Sequence, residues 1–137
     1  MTTQLKVYLA GPMESAGGNW NIPLFDYAAE RMRAHGWDVF NPADQLRAVS
    51  GSLQELLKQD KEMRKIMRKE ALKTELNWIM DHAQLVMLLP GWERSPGAKA
   101  EYALALALGI ETRETGTIIL PTERSAGKSE LDLSAPV

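Results

Sequence analysis

The chain is 137 residues long, 45% of them apolar and 25% charged, and it contains no cysteine. That length suits one domain burying roughly 68–70% of the surface its unfolded form exposes, and the composition excludes a coiled coil, a disordered protein and a disulfide scaffold. Sixteen basic against 18 acidic side chains leave a net charge of −2, so a nucleic-acid polymer is not an expected partner.

The first strand is expected over Leu5–Ala10, stopped by Gly11-Pro12. A polar loop follows, with Gly17 and Gly18 suited to a flexible lid, because neither a P-loop nor a dinucleotide fingerprint is present. Leu24, Ala28 and Met32 recur at helical spacing across 21–35, with Pro23 near the start and Gly36 at the end. Trp37–Phe40 reads as a second strand ended by Asn41-Pro42, which makes Asn41 and Asp44 turn residues.

A charged segment from Ser52 to Asp81 is helical in composition, continuous or broken once or twice, and its lysines and arginines suit a solvated face. Gln84–Leu89 is the clearest buried strand, stopped by Pro90-Gly91. Ser95 is a natural cap for a helix with Pro96 in its first turn, running to Leu108 and ending at Gly109. That helix is apolar nearly all round and is expected to be buried on most sides. A last strand is expected at Gly116–Leu120. One domain over residues 1–121 and a disordered or extended tail over 122–137 complete the layout.

The alternation predicts an α/β fold, a flavodoxin- or Rossmann-like parallel sheet of four or five strands with helices on both faces. Ligands of such sheets gather at the carboxyl ends of the strands, where strand order reverses. Met1–Leu9 holds too short an apolar run for an export signal, and Tyr102–Ile110 falls short of the about 20 residues that span a bilayer. A cytoplasmic protein without a membrane partner is therefore expected. With two histidines and no tight acidic cluster, no metal site is expected either.

Two carboxylates stand out. Glu101 lies on the apolar helix, and burying it costs several kcal/mol unless it is paired; it lies on a solvent strip beside Lys99, pairs with an arginine, or points into a cleft. Glu75 sits at the edge of the Leu72, Leu76 and Ile79 stripe, beside Trp78, either as an exposed salt-bridging residue or as a second cleft acid. Two converging carboxylates are the minimum set for cleaving a glycosidic bond. Tyr8 ends the first strand, in reach of a ligand or a carboxylate. Gly11, Pro12 and Met13 on one side, and Gly91, Trp92, Ser95 and Gly97 on the other, would frame the cleft. Trp20 offers a ring for stacking on a base, and Asn41 a contact to substrate.

Tyr8-Leu9-Ala10-Gly11-Pro12-Met13, then Asn21-x-Pro23-x-Phe25, Asn41-Pro42-Ala43 and Leu88–Glu101 in order resemble the nucleoside 2-deoxyribosyltransferase superfamily, in its uncharacterised bacterial and phage branch, with deoxynucleoside 5′-monophosphate N-glycosidases as more distant relatives. The resemblance covers residues 5–120. It implies that Glu101 is the nucleophile of a covalent deoxyribosyl intermediate, that Tyr8 lies beside it, and that Ser95 stands where a phosphate-binding serine does. Glu75 takes the place of an aspartate that contacts sugar or base. It further implies a nucleoside or nucleotide as small-molecule partner, no metal or redox cofactor, and a homo-oligomer, dimer or higher. Pro12 and Glu14 replace a serine and an arginine of the glycosidases, which argues against a tightly held 5′-phosphate. The Ser52–Lys69 segment has no counterpart in compact members. Two other functions compete: a non-catalytic nucleotide or nucleotide-sugar binding module, and an interaction protein working through the charged helical insertion.

Overall fold

The computed structural model describes residues 4–13, 21–49 and 61–116. Its elements run β1 (Lys6–Ala10), α1 (Ile22–Arg33), β2 (Asp38–Phe40), α2 (Pro42–Val49), α3 (Lys61–His82), β3 (Leu85–Leu88), a 3-10 turn (Trp92–Arg94), α4 (Pro96–Leu108) and β4 (Glu111–Glu114). The strands form one parallel sheet in the order β2-β1-β3-β4. The order reverses between β1 and β3, where Ala10 pairs with Leu88. This is the α/β architecture that the alternation predicts.

Strand alternation divides the core in two. Val7 and Leu9 of β1 join Met87 and Leu89 against Phe25, Ala28 and Met32 of α1. Tyr8 and Ala10 face the other way, with Val86 and Leu88, onto Ile79 of α3 and Ala98 and Ala105 of α4. Each face is thus covered by helices, as β-strands buried on both sides require.

Local chemistry explains the helix ends. Ser95 Oγ accepts from the Ala98 N–H at 3.1 Å, and Gly109 (φ 72°) closes α4 in the left-handed conformation. Asn21 adopts φ 58° before α1, and its Nδ2 donates to the Pro12 carbonyl at 2.8 Å, tying the end of β1 to the start of α1.

Two expectations are corrected, and one strand was not expected. Asn41-Pro42 does not merely stop β2; Asn41 Oδ1 accepts from the Ala43 N–H at 3.0 Å and caps α2, with Pro42 in its first turn. The fourth strand is Glu111–Glu114, immediately after the Gly109 cap, and Gly116 lies beyond it; positions 117–120 of the expected strand, and the tail from 122, lie outside the described residues. Finally, α4 is not buried on most sides. Leu106 is 56% and Leu108 49% exposed, because α4 packs its inner side on the sheet and on α3 while its outer side faces away from both.

At the switch point, backbone and core approach closely. A Cβ on Gly11 would stand 2.9 Å from Leu89 Cβ and 3.3 Å from Phe25 Cζ. Gly11→Ala is therefore expected to destabilise the protein by about 1–3 kcal/mol through overpacking, read as a lower urea midpoint with an unchanged denaturant slope.

Candidate functional site

Three side chains from three elements meet under the carboxyl end of the sheet. Tyr8 belongs to the central strand β1 and points to the α3–α4 face, flanked in register by Phe40 and Val86. Its hydroxyl donates to Glu101 Oε2 at 2.6 Å, with both residues buried. Glu101 enters from the second turn of α4 and is 4% exposed, whereas Lys99 is exposed. The solvent-strip alternative for Glu101 is thereby overturned. Glu75, partly buried on α3, lies close enough to Glu101 and Tyr8 for the three to share their electrostatics.

Burial and mutual repulsion set the charge of this trio. Burial, then the neighbouring Glu75 charge, push the Glu101 carboxyl well above its usual range, against the opposing pull of the Tyr8 hydrogen bond. Burial raises Glu75 to about 7, partly offset by the neighbouring Glu101 and Tyr8. Burial and the two carboxylates drive Tyr8 well above 10, so it remains a neutral donor. Two carboxyls in contact in a low-dielectric site do not both ionise, and the pair retains a proton into the neutral range.

An aromatic cluster that the sequence reading passed over packs on Tyr8. Phe40 stacks on Tyr8 with centroids 5.3 Å apart, and Trp78 lies 5.3 Å from Phe40 and 6.4 Å from Tyr8. The available signal was slight: an aromatic ending β2, and another three residues beyond Glu75 on one helix face.

The expected binding residues occupy the surrounding loops. Gly11 and Pro12 are buried directly after β1, while Met13 packs on the opposite, α1 side of the sheet. Asn41 is buried with its amide engaged: besides capping α2, its Nδ2 donates to Asp26 Oδ1 at 3.0 Å. Gly91 adopts φ 88° to start the 3-10 turn. The Trp92 indole N–H donates to Glu114 Oε1 at 2.9 Å, and its ring packs on Tyr102 at 4.7 Å. Ser95 Oγ is used in capping, and Gly97 has open space beside it, its nearest neighbour being that oxygen at 4.0 Å. Trp20, Glu14, Gly17 and Gly18 lie outside the described residues, as does 50–60 of the charged segment; 61–82 is one unbroken helix.

A depression of about 190 Å³ opens at the carboxyl ends of β3 and β4, between Gly91-Trp92-Glu93 and Glu114-Thr115-Gly116. It brings Gly91 and Trp92 together but includes none of Tyr8, Glu75 and Glu101. Among the described residues, no group of three His, Cys, Asp or Glu side chains is placed to hold a metal ion, and no helix is long and apolar enough to cross a membrane.

Fold and site together define an α/β protein with a buried phenol–carboxylate pair beneath the point where strand order reverses. The model of the family described as Domain of unknown function (DUF4406) matches residues 5–113, and the chain belongs to that family. The matched span includes Tyr8, Glu75 and Glu101. A comparison with curated proteins finds no match.

The proton held at Glu75 makes stability depend on pH. Its folded value of about 7 lies above the ordinary 4.5, so between these limits the native state binds more protons than the unfolded chain. Stability is then fully present below about pH 4.5 and falls as pH rises toward 7, and the Glu101 carboxyl, also raised by burial, extends the fall beyond 7. Urea denaturation from pH 5 to 8 should show this decline, and Glu75→Gln should make it shallower while the burial of Glu101 keeps the remainder.

Proposed function

We propose that the protein cleaves or exchanges the N-glycosidic bond of a 2′-deoxynucleoside or its 5′-monophosphate. The observation that carries this reading is the convergence of Tyr8, Glu75 and Glu101 in one buried cluster, with Tyr8 Oη 2.6 Å from Glu101 Oε2. The four ordered motifs that resemble the nucleoside 2-deoxyribosyltransferase superfamily add independent support.

In this reading the proton that the resting pair keeps on the more deeply buried Glu101 passes to Glu75 as substrate enters, which leaves Glu101 ionised. The Glu101 carboxylate attacks C1′ as the bond from C1′ to the base nitrogen breaks. The electron pair goes to the base, and Glu75 delivers its proton there. A deoxyribosyl ester of Glu101 results. Water then attacks C1′, loses its proton to Glu75 and restores Glu101; a second base in place of water gives transfer. Tyr8 orients Glu101 and stabilises the carboxylate that departs. Retaining pairs stand about 5–5.5 Å apart, so the sugar enters with Glu75 and Glu101 at that separation.

The burial of Glu101 favours one other reading. A carboxyl that strongly prefers its proton is a poor nucleophile, which suits a nucleotide-binding module without catalysis. Chromatography of free base after incubation with the deoxynucleosides and their 5′-monophosphates separates the two. Catalysis predicts base release by the parent, none by Glu101→Gln, a fall of about 10²–10⁴-fold in Glu75→Gln, and a deoxyribosyl mass adduct on Glu101. Full activity of Glu101→Gln would sink the mechanism, and ligand-dependent thermal stabilisation without base release favours the binding module.

A further inference from the structure

The mechanism above leaves the aromatic cluster without a task. Phe40 ends β2 as the register partner of Tyr8, and the two rings stack at 25°. Trp78, three residues past Glu75 on α3, packs against both. Tyr8 has no exposed surface, while Phe40 and Trp78 each keep part of theirs. These two rings are therefore the solvent-side members of the cluster.

The other walls near the trio are apolar or acidic. β3 contributes Val86 and Leu88, and α4 contributes Ala98 and Ala105. Among the described residues, the titratable groups facing this cluster are Tyr8 from β1, Glu75 and His82 from α3, and Glu101 from α4. His82 meets the cluster only through the Trp78 ring, at 5.5 Å, and Lys99 of α4 is exposed. Among the described residues no cation figures in the charge balance of Glu75 and Glu101, and burial is the first influence on their ionisation.

We propose that Phe40 and Trp78 are positioning residues that hold the Tyr8 phenol on Glu101 and exclude water from the Glu75–Glu101 pair. The importance of this role to catalysis rests on the glycosidic reading, but the physical effect belongs to the protein alone. Apolar cover keeps the two carboxyls from ionising separately, which they would do in contact with water. The rings thereby preserve the one-proton arrangement that gives the pair both an acid and a nucleophile.

The test is a substrate-free titration of protein labelled with ¹³C at the glutamate carboxyls, comparing the parent with Phe40→Ser, Trp78→Ser, Trp78→Phe and His82→Ala. The serine variants should lower the parental midpoint near 7 by about one unit or more, a tenfold loss of proton affinity. Trp78→Phe and His82→Ala should titrate like the parent. If a serine variant fails to fold, Phe40→Ala, which opens the cover without adding a polar group, is read instead and should shift in the same direction. With active parent enzyme, the pH profile of kcat should move in the same sense, with KM little changed. Folded variants that keep the parental midpoint overturn the proposal. So does a change confined to KM, which would make the rings a platform for substrate. A parent that releases no base ends the glycosidic reading and leaves the titration test intact.

Discussion

The hydrogen bond from Tyr8 to Glu101 is the constraint around which the site is built. It joins the central strand to the most apolar helix, at 2.6 Å and out of contact with water. A carboxyl buried this way costs several kcal/mol without partners, so each neighbour is answerable to it. Glu75 brings a second carboxyl, and Phe40 and Trp78 bring the cover. Ser95 and Gly109 hold the ends of α4 and so keep Glu101 over Tyr8.

The parallel order β2-β1-β3-β4 supplies the position. Tyr8 lies on β1, which has a paired strand on each side, so its side chain enters the interior of the α3–α4 face. Directly beyond it the chain turns through Gly11 and Pro12, and Gly11 has no room for a side chain against Leu89 and Phe25. The close approach at Gly11 and the buried pair at Tyr8 are consequences of one topology. Both follow from packing two loops of the switch point onto a sheet covered on each face.

Most of this framework was legible because it depends on local rules. The run Lys6–Ala10, the Ser95 cap, the Gly109 stop and the helical period of α1 each carry their own signal, and all were placed to within a few residues. The failures have physical causes too. Asn-Pro reads equally as a turn and as the cap and first residue of a helix, so α2 was missed. Glu111-Thr112-Arg113-Glu114 has no apolar alternation, because β4 pairs only with β3 among the described strands. An apolar helix composition does not say which side is covered, and α4 leaves Leu106 and Leu108 half exposed. Within the site, Glu101 and Tyr8 were legible as an unexplained charge on an apolar helix and a polar group ending a strand. The Phe40–Trp78 wall was not, since it needs the pairing of β1 with β2 and the approach of α3, which no local pattern encodes.

The same burial that raises the carboxyls resolves an apparent conflict in their chemistry. A nucleophile must be ionised and a general acid must be protonated, yet both groups here are glutamates in one apolar cluster. In water both would ionise at neutral pH, and the acid would be lost. In contact and under cover, the pair keeps one proton between them, so each ionised carboxylate has a protonated neighbour. The environments of the two then decide their roles. At rest the deeper burial of Glu101 holds the proton there; in the proposed reaction it passes to the less buried Glu75, and the neutral phenol that donates to Glu101 favours the charge left at that position. In the proposed reaction, one proton shared between two unequal sites is what makes an acid and a nucleophile from the same side chain.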